Sequence, residues 1–192
     1  MKQNRTLAAI VAVTGLLCAS GAAAHGFGEH AHGFAAGIAH PFTGLDHLLA
    51  MLAVGLWAAQ LDTRAARSVV VAFLVAMAAG SVLAVAGVPL PHVEFGIAAS
   101  VLVLGLVIAV ALRLPLSASV ALSAAFALFH GYAHGAELPL MLAPAACAAG
   151  FLLATAALIG TGCIAGRMLA IRPVRMAGLC VAVTGVALLA TG

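Results

Sequence analysis

Residues 68–86 read Ser68-Val-Val-Val-Ala-Phe-Leu-Val-Ala-Met-Ala-Ala-Gly-Ser-Val-Leu-Ala-Val-Ala86, a largely apolar stretch without a charged residue. A transmembrane helix needs about 20 mostly apolar residues, so this stretch is long enough to cross a membrane. The composition of the whole chain agrees, because 65% of its 192 residues are hydrophobic and only 7% are charged. A soluble protein needs more charge on its surface, so the sequence predicts a membrane protein.

Five more apolar segments lie along the chain, separated by short breaks that contain Arg, Pro or Gly. We predict transmembrane helices over residues 41–60, 68–86, 92–112, 116–134, 145–166 and 174–190. Lipid offers no hydrogen-bond partner to the backbone, so each segment has to form its own hydrogen bonds as an α-helix. The predicted fold class is an all-α membrane protein, a bundle of about six transmembrane helices in one domain over residues 25–192.

The first 24 residues have the composition of a cleavable signal peptide. Lys2 and Arg5 precede an apolar stretch over residues 7–18, and small residues over 20–24 offer a cleavage site. That apolar stretch is shorter than the roughly 20 residues that a membrane span requires. We predict a signal peptide over residues 1–24, with an uncleaved first helix as the alternative.

The positions of the basic residues predict the orientation in the membrane. The arginines of the helical domain fall between alternate pairs of helices: Arg64, Arg67, Arg113, Arg167, Arg172 and Arg175. By the positive-inside rule these loops are cytoplasmic, so both the mature N-terminus and the C-terminus are predicted to be periplasmic in a bacterial inner membrane. The basic residues form no stripe, so the net charge of +3 does not predict nucleic-acid binding.

Every histidine, and every acidic residue except Asp62, falls on the predicted outer side. Ionisable residues at membrane depth are costly and commonly mark functional sites, so this set predicts a site for a divalent cation. Anchoring at the membrane interface is the alternative. The predicted metal ligands are His40, Asp46, His47, His92, Glu94, His130, His134 and Glu137. The N-terminal His25, His30 and His32 would either gather ions or belong to a solvated tail.

Two spacings support this prediction. His130, His134 and Glu137 follow the i, i+4, i+7 pattern that places side chains on one face of a helix. Pro41 suits the first position of a helix, which would place His47 about two turns beyond His40. Asp46 would point elsewhere, to contact a neighbour or to orient a histidine.

The chemistry of these ligands fits several metals. Imidazole and carboxylate suit nickel, cobalt, zinc and copper, so the ligand types leave the choice among them open. Candidate contacts deeper in the membrane are few, and we interpret them as ordinary packing: Met51, Met77, Ser100, Ser123 and Thr155.

Two motifs resemble those of a known family. The first reads His40-Pro-Phe-Thr-Gly-Leu-Asp46-His47-Leu-Leu-Ala-Met51-Leu-Ala-Val-Gly55-Leu-Trp57, and the second reads Phe129-His130-Gly131-Tyr132-Ala133-His134-Gly135-Ala136-Glu137. Both are similar to the signatures of the HupE/UreJ family, and the resemblance covers essentially the whole chain. It implies functional roles for His40, Asp46 and His47 in the first motif and for His130, His134 and Glu137 in the second. His92 and Glu94 rest on the topology alone.

The resemblance also implies a function. It implies a secondary permease for nickel, sometimes cobalt, that supplies hydrogenase or urease maturation through hand-over to cytoplasmic nickel chaperones. The sequence contains no GxxxxGK[ST] phosphate-binding loop, which agrees with transport that is not driven by a bound nucleotide. We therefore expect a transporter rather than an enzyme, without a prosthetic group. Its partners would be a divalent metal ion, the lipid bilayer and, as an open alternative, further copies of the chain.

Two other classes of protein use similar histidines. A membrane-embedded metalloenzyme of the di-iron hydroxylase type also carries His-x3-His pairs, although with more histidines than the helices of this chain provide. A haem protein with two axial histidines on facing helices is the other alternative.

Overall fold

The computed structural model describes residues 33–138 and 143–191, and the helices account for most of this part of the chain. The elements are α1 Phe34–Ala39, a short 3-10 turn His40–Phe42, α2 Leu45–Ala59, α3 Thr63–Val85, α4 Val93–Val110, α5 Leu116–Glu137, α6 Pro144–Met168 and α7 Ile171–Thr191. The described residues contain no β-strand, so the predicted all-α class is confirmed. The predicted signal peptide and the N-terminal histidines lie outside the described residues.

Five of the described helices, α3 to α7, are long and apolar enough to cross a membrane. The sixth candidate span consists of two pieces, because α1 with its 3-10 turn meets α2 at an angle of 84°. Exposed apolar side chains agree with a lipid surround: Val71, Val75 and Val82 lie along one side of α3 and are each more than half exposed.

The continuous helix predicted over residues 41–60 is broken near its start. The 3-10 turn ends at Phe42, and both the backbone N–H and the hydroxyl of Thr43 donate to the carbonyl of His40. Gly44 then has an extended backbone, and α2 begins at Leu45. His40 and His47 therefore belong to different elements rather than to one helical stripe.

The predicted second helix begins five residues earlier than expected, at Thr63 rather than at residue 68. Asp62 explains the early start, because its Oδ1 accepts hydrogen bonds from the backbone N–H groups of Arg64 at 2.9 Å and Ala65 at 3.0 Å. A carboxylate in this position satisfies N–H groups that the first turn of a helix leaves free. The cap thus extends α3 to include the charged residues Arg64 and Arg67 in its first turns.

Helix α2 is the central element of the bundle. It contacts α3, α4, α6 and α7, and its side chains Met51, Val54 and Trp57 are completely buried. Around it, α3 packs extensively on α5, and α4 on α7. This arrangement brings the N-terminal ends of α2 and α4 to the C-terminal end of α5, where the predicted site residues occur.

The contact between α3 and α5 is close enough to require glycine. A side chain at Gly131 of α5 would overlap the backbone of Met77, and one at Gly80 of α3 would overlap the carbonyl group of Leu128. Small residues commonly allow membrane helices to approach in this way. The close approach holds the segment that carries His130 and His134 against the bundle.

Candidate metal centre

Four histidines from three elements form one cluster, which we call the histidine cluster: His40, His47, His130 and His134. The ring centroid of His47 lies 4.8 Å from that of His130 and 4.4 Å from that of His134. The ring of His40 lies 4.6 Å from that of His134. The structure thus brings together the two sequence motifs, which lie far apart along the chain.

Asp46 holds one ring of the cluster. Its Oδ1 lies 2.9 Å from Nδ1 of His47 and also accepts a hydrogen bond from the backbone N–H of His47. A carboxylate accepts hydrogen bonds, so Nδ1 of His47 carries the proton. The lone pair of His47 is then on Nε2, which is the atom left free to bind a cation. Asp46 contacts a histidine in this way, one of the two roles that its position in the sequence predicted.

Ser100 contacts a second ring. Its Oγ lies 2.8 Å from Nε2 of His130, and both residues are completely buried. Sequence reasoning placed Ser100 among the packing residues. Because it lies on α4 and His130 lies on α5, no spacing along the chain could have indicated this contact.

Three ring nitrogens in the cluster lack a hydrogen-bond partner within the part of the chain that the structure describes. Among the described residues, His47 Nε2, His130 Nδ1 and His134 Nε2 are buried and have no hydrogen-bond partner. Buried polar atoms in proteins nearly always have a partner, so three exceptions in one cluster require an explanation. A bound cation is an explanation that the donor chemistry fits, since an imidazole nitrogen that bears a lone pair is a good ligand for borderline divalent metals.

Carboxylates lie at the more exposed edge of the cluster. Oε2 of Glu137 lies 3.3 Å from Nε2 of His40, and the side chain of Glu137 is 53% exposed. Glu94, at the start of α4, lines a cavity of about 250 Å³ that is also lined by Asp46 and by three of the clustered histidines. The cavity therefore leads from acidic side chains to buried imidazole rings.

His92 is placed differently from the other predicted ligands. It is exposed, precedes α4 with a left-handed backbone (φ 56°), and is not among the residues that line this cavity. The structure thus brings together seven of the eight predicted residues, either in the histidine cluster or around its cavity. Their role as ligands stays a prediction.

The side chains as they stand are not arranged around an ion. Across residues 33–138 and 143–191, no group of three or more His, Cys, Asp or Glu side chains is placed so that it could hold a metal ion. The rings of His47 and its two neighbours meet edge to face, with interplanar angles of 85° and 64°. A cation would have to rotate or separate these rings before several nitrogens could reach it.

The helices and the cluster define a class of protein: a multi-pass membrane protein with histidines and carboxylates gathered at one end of its helices. The family model of the HupE / UreJ proteins matches residues 11–188, and the chain belongs to this family. The resemblance inferred from the two motifs is thereby confirmed.

A curated relative supports the assignment. The chain is 45% identical over 170 residues to Protein HupE of Rhizobium leguminosarum bv. viciae, an alignment that covers 84% of this chain and 87% of that protein. No solved structure matches the chain.

Proposed function

We propose that this protein is a permease that imports Ni²⁺, with Co²⁺ as an alternative substrate, through the histidine cluster. Membership in the HupE/UreJ family supports a nickel or cobalt transport role in general. The observation that carries the specific proposal is the group of three buried ring nitrogens that have no hydrogen-bond partner among the described residues. A transported cation would complete their coordination and leave again.

The residues would act in sequence from the exposed edge inward. Glu94 and Glu137 would attract the hydrated dication to the cavity, and His92 would contribute to capture from its exposed position. His40, His47, His130 and His134 would then replace water ligands, while Asp46 fixes the ring of His47. Binding chiefly by neutral imidazole nitrogens adds no attraction between opposite charges, which suits a cation that has to be released.

The charge distribution supports an outward-facing cluster. Arg113 follows the C-terminal end of α4 and precedes α5, whereas Glu94 begins α4 and His134 lies in the last turn of α5. The positive-inside rule would place Arg113 in the cytoplasm and the cluster on the periplasmic side. A membrane potential then favours entry of a dication by roughly 4.6 kcal/mol per 100 mV, twice the value for a single charge.

Uptake of radioactive nickel by proteoliposomes tests the proposal. Vesicles that contain the purified protein should accumulate nickel when a potential, negative inside, is imposed with valinomycin and a potassium gradient. Cobalt should compete more strongly than manganese. His47→Ala should remove most of the uptake. His92→Ala should remove a smaller part, because His92 is exposed and lies outside the cavity. Absence of uptake by the wild-type protein under an imposed potential would contradict the proposal.

The orientation requires its own experiment. Reporter fusions after Arg113 should give a cytoplasmic signal, and fusions near Pro89, before the start of α4, should give a periplasmic one. A periplasmic signal at Arg113 would place the histidine cluster on the cytoplasmic side, which would contradict import through a periplasmic site.

A further inference from the structure

A buried serine contacts the histidine cluster from a helix outside both sequence motifs. Ser100 lies within α4, is completely buried, and has its Oγ 2.8 Å from Nε2 of His130. The same Oγ lies 2.6 Å from the carbonyl oxygen of Ile97. These two contacts together determine which nitrogen of His130 carries its proton.

The two contacts of Ser100 share a single hydroxyl proton. Two oxygens at 2.6 Å need a hydrogen between them, and a carbonyl has none, so the single hydroxyl proton of Ser100 is donated to Ile97. The oxygen of Ser100 can then only accept from His130. A neutral imidazole has one N–H, so Nε2 carries it and Nδ1 bears the lone pair. This Nδ1 is the buried atom of His130 for which residues 33–138 and 143–191 supply no hydrogen-bond partner.

We propose that Ser100 is a positioning residue that holds His130 in the tautomer whose Nδ1 lone pair is free within the histidine cluster. The proposal rests on the function proposed above, because a fixed tautomer matters most where that lone pair binds a metal. Ser100 would act on His130 as Asp46 acts on His47: each partner takes one ring nitrogen and leaves the other free. The nitrogen that stays without a described partner differs between the two rings: it is Nε2 in His47 and Nδ1 in His130.

The chain contains a matched control. Ser123 is also completely buried in a neighbouring helix, and its hydroxyl donates to the carbonyl of Val69 at 2.9 Å. Its described hydrogen bonds include none to an imidazole. Replacing either serine by alanine removes one buried hydroxyl, but only Ser100→Ala removes the acceptor that fixes a histidine.

Nitrogen NMR on protein labelled with ¹⁵N-histidine tests the tautomer directly. Spectra would be recorded on metal-free protein in lipid vesicles at about pH 8, above the ordinary imidazole pKa of about 6.5, with His130→Ala used to assign the signal. The wild-type protein and Ser123→Ala should show His130 protonated on Nε2. Ser100→Ala should show a mixture of tautomers, and Ser100→Thr, whose hydroxyl can make the same bond within a helix, should restore the wild-type signal.

Nickel binding to the same four proteins gives the functional readout. Loss of a group that orients a metal ligand typically weakens binding by about 10- to 100-fold, so Ser100→Ala should raise the Kd by roughly this factor. Ser123→Ala and Ser100→Thr should stay near the wild-type value. Elution of each variant as a single species in detergent would show that it is folded.

The outcomes separate this proposal from the proposed function. If Ser100→Ala keeps both the wild-type tautomer and the wild-type Kd, the positioning role is wrong and the permease assignment is untouched. If the wild-type protein binds no nickel, the proposed function fails. In that case an unchanged tautomer in Ser100→Ala would overturn the positioning role as well, and a changed one would sustain it.

Discussion

Nδ1 of His47 lies 2.9 Å from Oδ1 of Asp46, its neighbour in the sequence. Consecutive residues of a helix point about 100° apart, so this contact needs Asp46 to turn its side chain back toward the start of α2. Gly44 provides the room, since a Cβ there would come within 2.7 Å of the carboxylate oxygen and 3.1 Å of Nδ1. The pair thus depends on Gly44, the residue that precedes α2.

Asp46→Asn should weaken nickel binding by about 10- to 100-fold, because a neutral amide holds the N–H of His47 less strongly than a carboxylate does. Asp62→Asn is the matched control: it changes the other aspartate of the chain, which caps α3, and asparagine caps helices equally well. Isothermal titration with nickel in detergent measures both. Equal affinity of the two variants would show that Asp46 does not tune the site.

Glu137→Gln should reduce nickel uptake more than Glu94→Gln does. Glu137 contacts His40 directly at 3.3 Å, whereas Glu94 lines the cavity and forms no ion pair with another described residue. We expect a fall of about tenfold in uptake at low nickel for Glu137→Gln. Measuring initial rates at two ionic strengths adds a check, because attraction of the dication by exposed carboxylates is screened by salt. A larger loss for Glu94→Gln would reverse the assigned order.

Gly131→Ala should destabilise the protein, in contrast to the histidine variants, which should lose metal binding and stay folded. The added methyl group would overlap the backbone of Met77, and overpacking of this kind typically costs about 1–3 kcal/mol. Gly160→Ala is the control, because a Cβ there meets nothing within 4 Å in the middle of α6. Thermal unfolding in detergent should give a lower Tm for Gly131→Ala alone. Equal Tm values would mean that the α3–α5 contact is looser than described.

Acidification should inhibit uptake. A protonated imidazole has no lone pair, so protons compete with the metal. The ordinary imidazole pKa is about 6.5, and burial disfavours the charged form, so the competition should be strongest at the acid end of the range. Lowering the outside pH from about 7.5 to about 5.5 should raise the apparent KM with little change in the maximal rate, because excess metal displaces protons. The potential has to be clamped during the measurement. Uptake that increases on acidification would instead indicate import coupled to protons.

The long apolar segments could be predicted from the sequence because membrane helices need only local information: length, hydropathy and flanking charge. Their order and approximate ends are as expected, from residues 145–166 in α6 to 174–190 in α7. The ends shift where a single side chain intervenes, as Asp62 does at the start of α3. A hydropathy profile contains no information on the hydrogen bonds of a capping side chain, so it cannot predict such a helix end.

The site could be predicted only in part. The two motifs identified the histidines, and the contact of Asp46 with His47 is between neighbours in the sequence. The break at Thr43 and Gly44 was missed because it depends on hydrogen bonds to His40 and on the packing of α1 against α6. Ser100 was missed because its meaning comes from a partner 30 residues away on another helix. Contacts between residues of different helices produce no repeating pattern along the sequence from which they could be predicted.

The break before α2 changes what the distance between His40 and His47 in the sequence means. In an unbroken helix, adding one residue between them would rotate one ring about 100° away from the other. Here the intervening chain is a turn and an extended glycine, and α2 starts anew at Leu45. The number of residues between His40 and His47 therefore limits only how far apart the two side chains can lie. The packing of α1 against α6 sets the direction in which His40 points. Substitutions in the contact between α1 and α6 would therefore change the geometry of the site without replacing any histidine.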